Sequence, residues 1–386
     1  MSFDVNALRA KEFPWTLTGD QVFLDNAKTG ALPARGVKVL KHWADLRAEP
    51  FRLSTYEDLE VFRKARELIA KLIGAKIGEI ACMHNTSYGI NVASLCLPLQ
   101  AGDVVLTYEG EYPADVYPWM SLAKKGVKLE LIPKNNGLQD EERLLEALKR
   151  PDVKVVTMSW VSFSTGYRAD LATIGRECRK RGIYFVVDAI QGVGAMALDV
   201  SKLEIDVLAC GGQKWLLAPW GTGFVYVREE LTRTLDPAVV GWLAMKSSED
   251  FTRMVDYDFK YYEDARRFQI NTLPAQDFAG LNASLEMLLE LGPKSVEQHI
   301  EGIVSEAVEW AAANGDSVRL VTPADPAKRA GVLAIAPRDP VAASAALSAA
   351  KISHSLREGA IRLSPHCFNT REEMGRALKV LEGQKQ

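Results

Sequence analysis

The chain has 386 residues, 47% of them hydrophobic and 25% charged, with a net charge of -3. That length allows one large globular domain and a smaller one, and so small a net charge gives no reason to expect nucleic acid or an anionic membrane as partner. No apolar run approaches spanning length, and Met1-Ser2-Phe3-Asp4 lacks a basic region followed by an apolar one, so a cytoplasmic protein is expected.

To Asp20 there is little periodicity, and this stretch reads as an N-terminal arm. A helix is expected over 35–48. Ser54-Thr55-Tyr56-Glu57 has the capping-box form ahead of an amphipathic run to Ile73, with Leu59, Phe62, Ala65, Ile69 and Leu72 on one face. Residues 80–83 read as a strand, after which His84-Asn85-Thr86-Ser87-Tyr88-Gly89 opens a helix to about Leu97. Such a turn is either a plain N-cap or a phosphate site, with the hydroxyls of Thr86 and Ser87 as added donors. Strands over 104–108, 129–132, 153–159 and 184–188 alternate with helices over 141–148 and 171–181. This alternation marks an α/β protein with a mostly parallel sheet.

The chemistry is concentrated further on. Cys210-Gly211-Gly212-Gln213-Lys214-Trp215 sets a lysine in a mostly apolar passage from Ile205 to Val227. Either its stem carries the ammonium to water, or burial strips the proton and leaves a nucleophile suited to Schiff-base chemistry. Asp188 ends an apolar strand 26 positions earlier, at the edge of the sheet where open α/β folds bind ligands. This pair matches the demands of pyridoxal phosphate: an amine for the carbonyl, and a carboxylate that keeps the pyridine nitrogen protonated. Gly192-Val193-Gly194-Ala195-Met196-Ala197 fits a dinucleotide fingerprint and keeps an NAD-dependent oxidoreductase as an alternative, although Leu198-Asp199-Val200 leaves almost no helix after the glycines. The five cysteines, 82, 96, 178, 210 and 367, form no CxxC pair, and the five histidines have no ligand spacing. Neither disulfides nor a metal site are expected.

Asp188-Ala189-Ile190-Gln191, Gly212-Gln213-Lys214-Trp215-Leu216 and Pro219-Trp220-Gly221-Thr222-Gly223-Phe224 together resemble the class V aminotransferase family of fold-type I pyridoxal-phosphate enzymes. The branch of cysteine desulfurases, selenocysteine lyases, C–S lyases and isopenicillin N epimerase is the most similar, over about residues 23–381. The resemblance implies a large domain (21–270) with a mostly parallel seven-stranded sheet flanked by helices, and a smaller α+β C-terminal domain (271–386) beside the 1–20 arm. It implies pyridoxal 5'-phosphate with its phosphate at Thr86 and Ser87, Tyr112 stacked on the ring, and Asp188 on the ring nitrogen. Phe163 stands where many desulfurases carry asparagine, which leaves Ser162 and Gln191 for the 3-hydroxyl. Gln213 replaces the common histidine before the lysine, and Lys214 is the catalytic residue.

Arg266-Arg267-Phe268-Gln269-Ile270-Asn271-Thr272 resembles the family's Arg-Phe-Glu-x-Gly-Thr, whose threonine reaches the neighbouring subunit's phosphate; Thr272 therefore implies a homodimer with shared active sites, although Asn271 replaces the glycine. Ile361-Arg362-Leu363-Ser364 and Asn369-Thr370 resemble the stretch whose arginine binds the substrate carboxylate. Helices over 275–291 and 295–314, then strands near 331–335, 352 and 361 around a helix over 341–349, complete the chain. Residues 240–259 read as an active-site loop.

Typical desulfurases carry a nucleophilic cysteine on a loop before that arginine, whereas here Ser353-His354-Ser355-Leu356-Arg357-Glu358-Gly359 runs almost directly into Arg362. The leading expectation is a β-eliminating C–S lyase acting on a cysteine-type amino acid. A class V aminotransferase is the alternative, followed by an epimerase and a persulfide-forming desulfurase.

Overall fold

The computed structural model describes residues 3–54 and 56–383. Among the described residues thirteen strands form three sheets: β1 Val22–Phe23, β2 Ile80–Met83, β3 Val104–Tyr108, β4 Lys128–Ile132, β5 Val153–Ser159, β6 Tyr184–Asp188, β7 Val207–Gly211, β8 Gly223–Val227, β9 Val318–Leu320, β10 Leu333–Pro337, β11 Ile352–Ser353, β12 Ser355–Arg357 and β13 Ala360–Leu363. The large sheet has the order β2-β8-β7-β6-β5-β3-β4. It is parallel except for β8, which runs antiparallel to both neighbours. Its central strands are buried along their length, because helices cover both faces, and their sequences are accordingly near-continuous apolar runs. The 212–222 connection is too short for a crossover helix, so β8 can only return antiparallel.

A second sheet, β12-β13-β10-β9, is antiparallel throughout. Strand β9 was not expected from the sequence; three residues with Arg319 at the centre are too few to show alternation. The first strand, β1, pairs in parallel with β11, so the chain's beginning is fixed beside its end.

Two readings are revised, and a third lies partly outside the described residues. The opening stretch contains a helix, Val5–Glu12, capped by the Asp4 carboxylate and anchored by Arg9 Nη1, which donates to Glu373 Oε1 at 2.7 Å and to Phe368 O at 3.0 Å. The supposed dinucleotide glycines are a packing turn. A Cβ on Gly194, at φ 100°, would lie 2.1 Å from Trp215 O, and only a short 3-10 turn at Val200–Lys202 follows, so no helix N-terminus is available for a pyrophosphate. The cap at residues 54–57 includes Thr55, which lies outside the described residues; the Ser54 N–H donates to Glu57 Oε2 at 3.3 Å. Among the described residues no helix is long and apolar enough to cross a membrane.

Candidate active site

Strands β5, β6 and β7 end side by side, with Ser159 opposite Asp188 and Asp188 opposite Ala209. Asp188 is 2% exposed, and one carboxylate oxygen accepts the Ile190 N–H at 2.9 Å. Burial pushes its pKa up to about 6, against the pull of that N–H and of the Lys214 ammonium. Lys214 follows β7 on a turn held from two sides. The Gly30 N–H donates to Gln213 O at 2.8 Å, where a Cβ on Gly30 would meet Lys214 O at 2.0 Å. On the other side His366 Nε2 donates to Trp215 O at 2.9 Å, a tautomer fixed by the Cys367 N–H, which donates to Nδ1 at 2.7 Å. Burial draws the pKa of His366 down to about 4, so this brace is neutral and insensitive to physiological pH.

Burial also lowers the pKa of Lys214 to about 8, Asp188 opposing the shift and Arg362 adding to it. At pH 7 about a tenth of such lysines are neutral. Its Nζ lies 5.6 Å from the centre of the Tyr112 ring, which meets Phe163 edge-on at 5.3 Å. Thr86 opens the Thr86–Cys96 helix, capped by Asn85 Oδ1 on the Tyr88 N–H at 3.0 Å. The Thr86 hydroxyl accepts the Gly211 N–H at 2.9 Å, which ties this helix N-terminus to the strand that carries the lysine turn. Ser87 is exposed beside it.

The other expected residues are more dispersed. Ser162 Oγ lies 3.3 Å from Ser164 Oγ. Gln191 is committed at both ends of its amide, donating to Ala27 O at 3.0 Å and accepting from Trp215 Nε1 at 2.8 Å, so one amide hydrogen remains for any ligand. Gln213 has an unpartnered Oε1. Thr272 is exposed, and no hydrogen bond joins it to Lys214 or Asp188 in the single chain.

Arg362 is 2% exposed and points from β13 toward the same region. Its Nη1 donates to Phe163 O at 3.0 Å; its Nη2 approaches Asp25 Oδ1 and Ser355 Oγ at 3.4 Å each, while Nε is buried without a partner. Ser355 in turn donates to the Asp25 carboxylate at 2.8 Å. Sequence reasoning overlooked Asp25, which directly follows the short strand Val22–Phe23 and Leu24. It also overlooked Arg357, which lies on β12 two residues after the partner of Arg362 and so shares its face; its positive charge reaches both Lys214 and Arg362. A third omission is the pair Glu111 and Asp115. Glu111 accepts from Ser159 Oγ at 2.6 Å, Asp115 accepts from Thr157 Oγ1 at 2.6 Å, and burial raises the pKa of both beside Asp188.

Residues 22–375 match the family described as aminotransferase class-V. The chain is 31% identical over 325 residues to an uncharacterized aminotransferase, YcbU, of Bacillus subtilis, with 83% of each chain covered. It is 28% identical over 401 residues to a probable cysteine desulfurase of Pyrococcus abyssi, with 96% of each covered. Among solved structures, it is similar to an apo cysteine desulfurase from Thermococcus onnurineus with a TM-score of 0.87 at 26% identity, over 100% of this chain and 99% of that one. The cystine C–S lyase C-DES, solved with its product cysteine persulfide, shares the fold at a TM-score of 0.85 and 22% identity, over 96% and 99% of the two chains.

Proposed function

Because the chain belongs to the class V aminotransferase family, we propose that it is a pyridoxal-phosphate enzyme that removes the Cα proton of a cysteine-type amino acid and expels sulfur from Cβ. The residues present fit that cofactor: a half-buried lysine with no hydrogen-bond partner among the described residues, a buried carboxylate with one oxygen uncommitted, an aromatic ring over the lysine and a helix N-terminus whose cap takes the Tyr88 N–H form a matching donor set. When bound, pyridoxal phosphate supplies a Schiff-base link to the amino acid and an electron sink that acidifies its Cα–H. Thr86 and Ser87 would hold the phosphate, Tyr112 cover one ring face, Asp188 face the ring nitrogen, and Ser162, Gln191 and Gln213 border the ring. Arg362 would fork the substrate carboxylate and fix the Cα–H toward Lys214 Nζ, whose depressed pKa suits it to accept that proton.

The observation that carries the branch is the β12–β13 turn. Arg357 faces Ala360 directly, and Glu358 and Gly359 have φ of 46° and 74°, the two left-handed residues of a type I′ hairpin. A loop bearing a nucleophilic thiol has no room there. Cys367, beyond the arginine, is 0% exposed and burial pushes its thiol pKa up, so it is neither reachable nor ionised. Sulfur therefore leaves with the substrate's own fragment, which favours the lyase over a protein persulfide. Transamination is the second reading, favoured by the relationship to YcbU.

The division into residues 21–270 and 271–386 remains our working domain description, with an amino acid as substrate. A homodimer is supported by Val255, Tyr257 and Phe259, which stand 73%, 91% and 73% exposed in the single chain close in sequence to Thr272. The test is to mix cofactor-loaded protein with a panel of amino acids, following the cofactor's visible absorption and assaying pyruvate, keto acids and sulfide. Pyruvate with sulfide or persulfide and no pyridoxamine form supports the lyase. Accumulation of the pyridoxamine form replaces it with transamination, and no visible band rejects the cofactor.

A further inference from the structure

A cavity of about 330 Å³ lies between the Glu57–Ile73 helix and the segment 243–269, and none of Lys214, Asp188 or Arg362 lines it. Its walls carry three arginines, Arg63, Arg66 and Arg266, against two carboxylates, Glu60 and Glu249. Arg63 is bonded to Glu60 and Glu67. Arg266 forks Asp264, reaches Glu249 at 2.9 Å and lies 3.7 Å over the Tyr262 ring. Arg66 is different. It is 9% exposed, its guanidinium opens on the cavity, and it makes no hydrogen bond or ion pair with any described residue. Gln269, 8% exposed, lines the same cavity with its Oε1 unpartnered. The motif that contains Gln269 resembles one with glutamate at this place, so this chain has a neutral amide where a negative charge would have stood in the same cavity wall as Arg66.

The Asp264 carboxylate acts on Arg66 from a distance, but Arg266 already forks it, so Arg66 has no anion of its own; a buried guanidinium in that state is costly, and the cost is recovered when a carboxylate or phosphate takes the fork. Phe62 and the Tyr262 ring add apolar surface to the cavity walls. The volume is at the small end of ligand cavities. We propose that this cavity binds a small organic anion, a carboxylate or a phosphate ester, held by Arg66 and contacted by the Gln269 amide, at a site separate from the one that binds the amino acid.

The experiment is calorimetric titration of the cofactor-loaded protein with benzoate and with inorganic phosphate, at constant ionic strength with chloride as control. The expected result is saturable binding of at least one probe, retained in Arg362→Met; the stronger probe distinguishes carboxylate from phosphate as the recognised group. Arg66→Met weakens it roughly tenfold or more, one charge-assisted pair being lost. Gln269→Glu keeps the arginine and supplies the anion internally, so it weakens binding to a similar degree while raising the melting temperature by roughly a few degrees. That variant serves if Arg66→Met does not fold. Absence of saturable binding in the parent protein overturns the proposal. So does binding that survives Gln269→Glu, or binding that disappears in Arg362→Met, since the latter belongs to the substrate carboxylate site.

Discussion

Lys214 and Arg362 are both cations drawn away from water, the lysine half-buried and the arginine fully so, and the fold keeps them in opposite ways. The Lys214 ammonium has no hydrogen-bond partner among the described residues, and burial takes its pKa to about 8. Burial lowers the pKa of Arg362 as well, but Asp25, Ser355 and the Phe163 carbonyl surround its guanidinium. An arginine cannot reach neutrality in water, so partners are its only relief. The comparison separates two tasks. In the proposed function, the group that exchanges a proton is left unsatisfied, whereas the group that remains charged is pinned and aimed.

The largest effect expected is for Lys214→Ala. Loss of the amine should lower kcat/KM for an amino acid roughly a thousandfold or more and abolish the visible Schiff-base band, read by absorbance of the cofactor-loaded variant. Arg362→Gln should cost roughly a hundredfold in kcat/KM, mainly through KM, while the visible band persists. A fall in kcat alone would mean that the two cations do not divide the work as described.

Asp188→Asn sharpens the contrast through stability. A folded-state pKa raised from 3.8 to about 6 means that the native apoprotein holds an extra proton between those values, so stability falls as pH rises from about 4 to about 6. The asparagine variant lacks that fall. Its apoprotein should be more stable at pH 7 by on the order of 2–3 kcal/mol, measured by urea denaturation, even as activity is lost. For Lys214 the sign reverses with the chemistry. The native state has released a proton that the unfolded chain still holds between about 8 and 10.5, so apoprotein stability should rise with pH across that window, and Lys214→Met should remove the rise. The smallest effect is expected from Asp25→Asn, which leaves Arg362 charged and still bonded to Phe163 O. KM should rise roughly tenfold with kcat nearly unchanged.

The same contrast explains what could be read in advance. Strands β3, β5 and β6 were legible because two-sided burial turns a strand into an apolar run, and a charge at the end of such a run, like Asp188, stands out. Lys214 stood out for the same reason. Asp25 could not be paired with Arg362 from sequence, because 337 positions separate them and no periodicity spans that distance. Arg357 was hidden in a polar hairpin. The Val5–Glu12 helix escaped notice because its anchoring depends on the Arg9–Glu373 ion pair as well as on Leu8, rather than on an apolar stripe.

The parallel pairing of Val22–Phe23 with Ile352–Ser353 has a consequence for biosynthesis. Its two halves are 330 positions apart, so at about 5–20 residues per second the first strand waits on the order of 15 to 65 seconds for its partner to be translated. The central sheet, complete by Val227, can assemble meanwhile. Asp25 follows the waiting strand directly, and it meets Arg362 only when the last tenth of the chain has emerged. The corner proposed to take the substrate carboxylate is therefore the final part of the site to be made, and a nascent chain stalled before Ile352 already has the lysine and Asp188 but lacks Arg362.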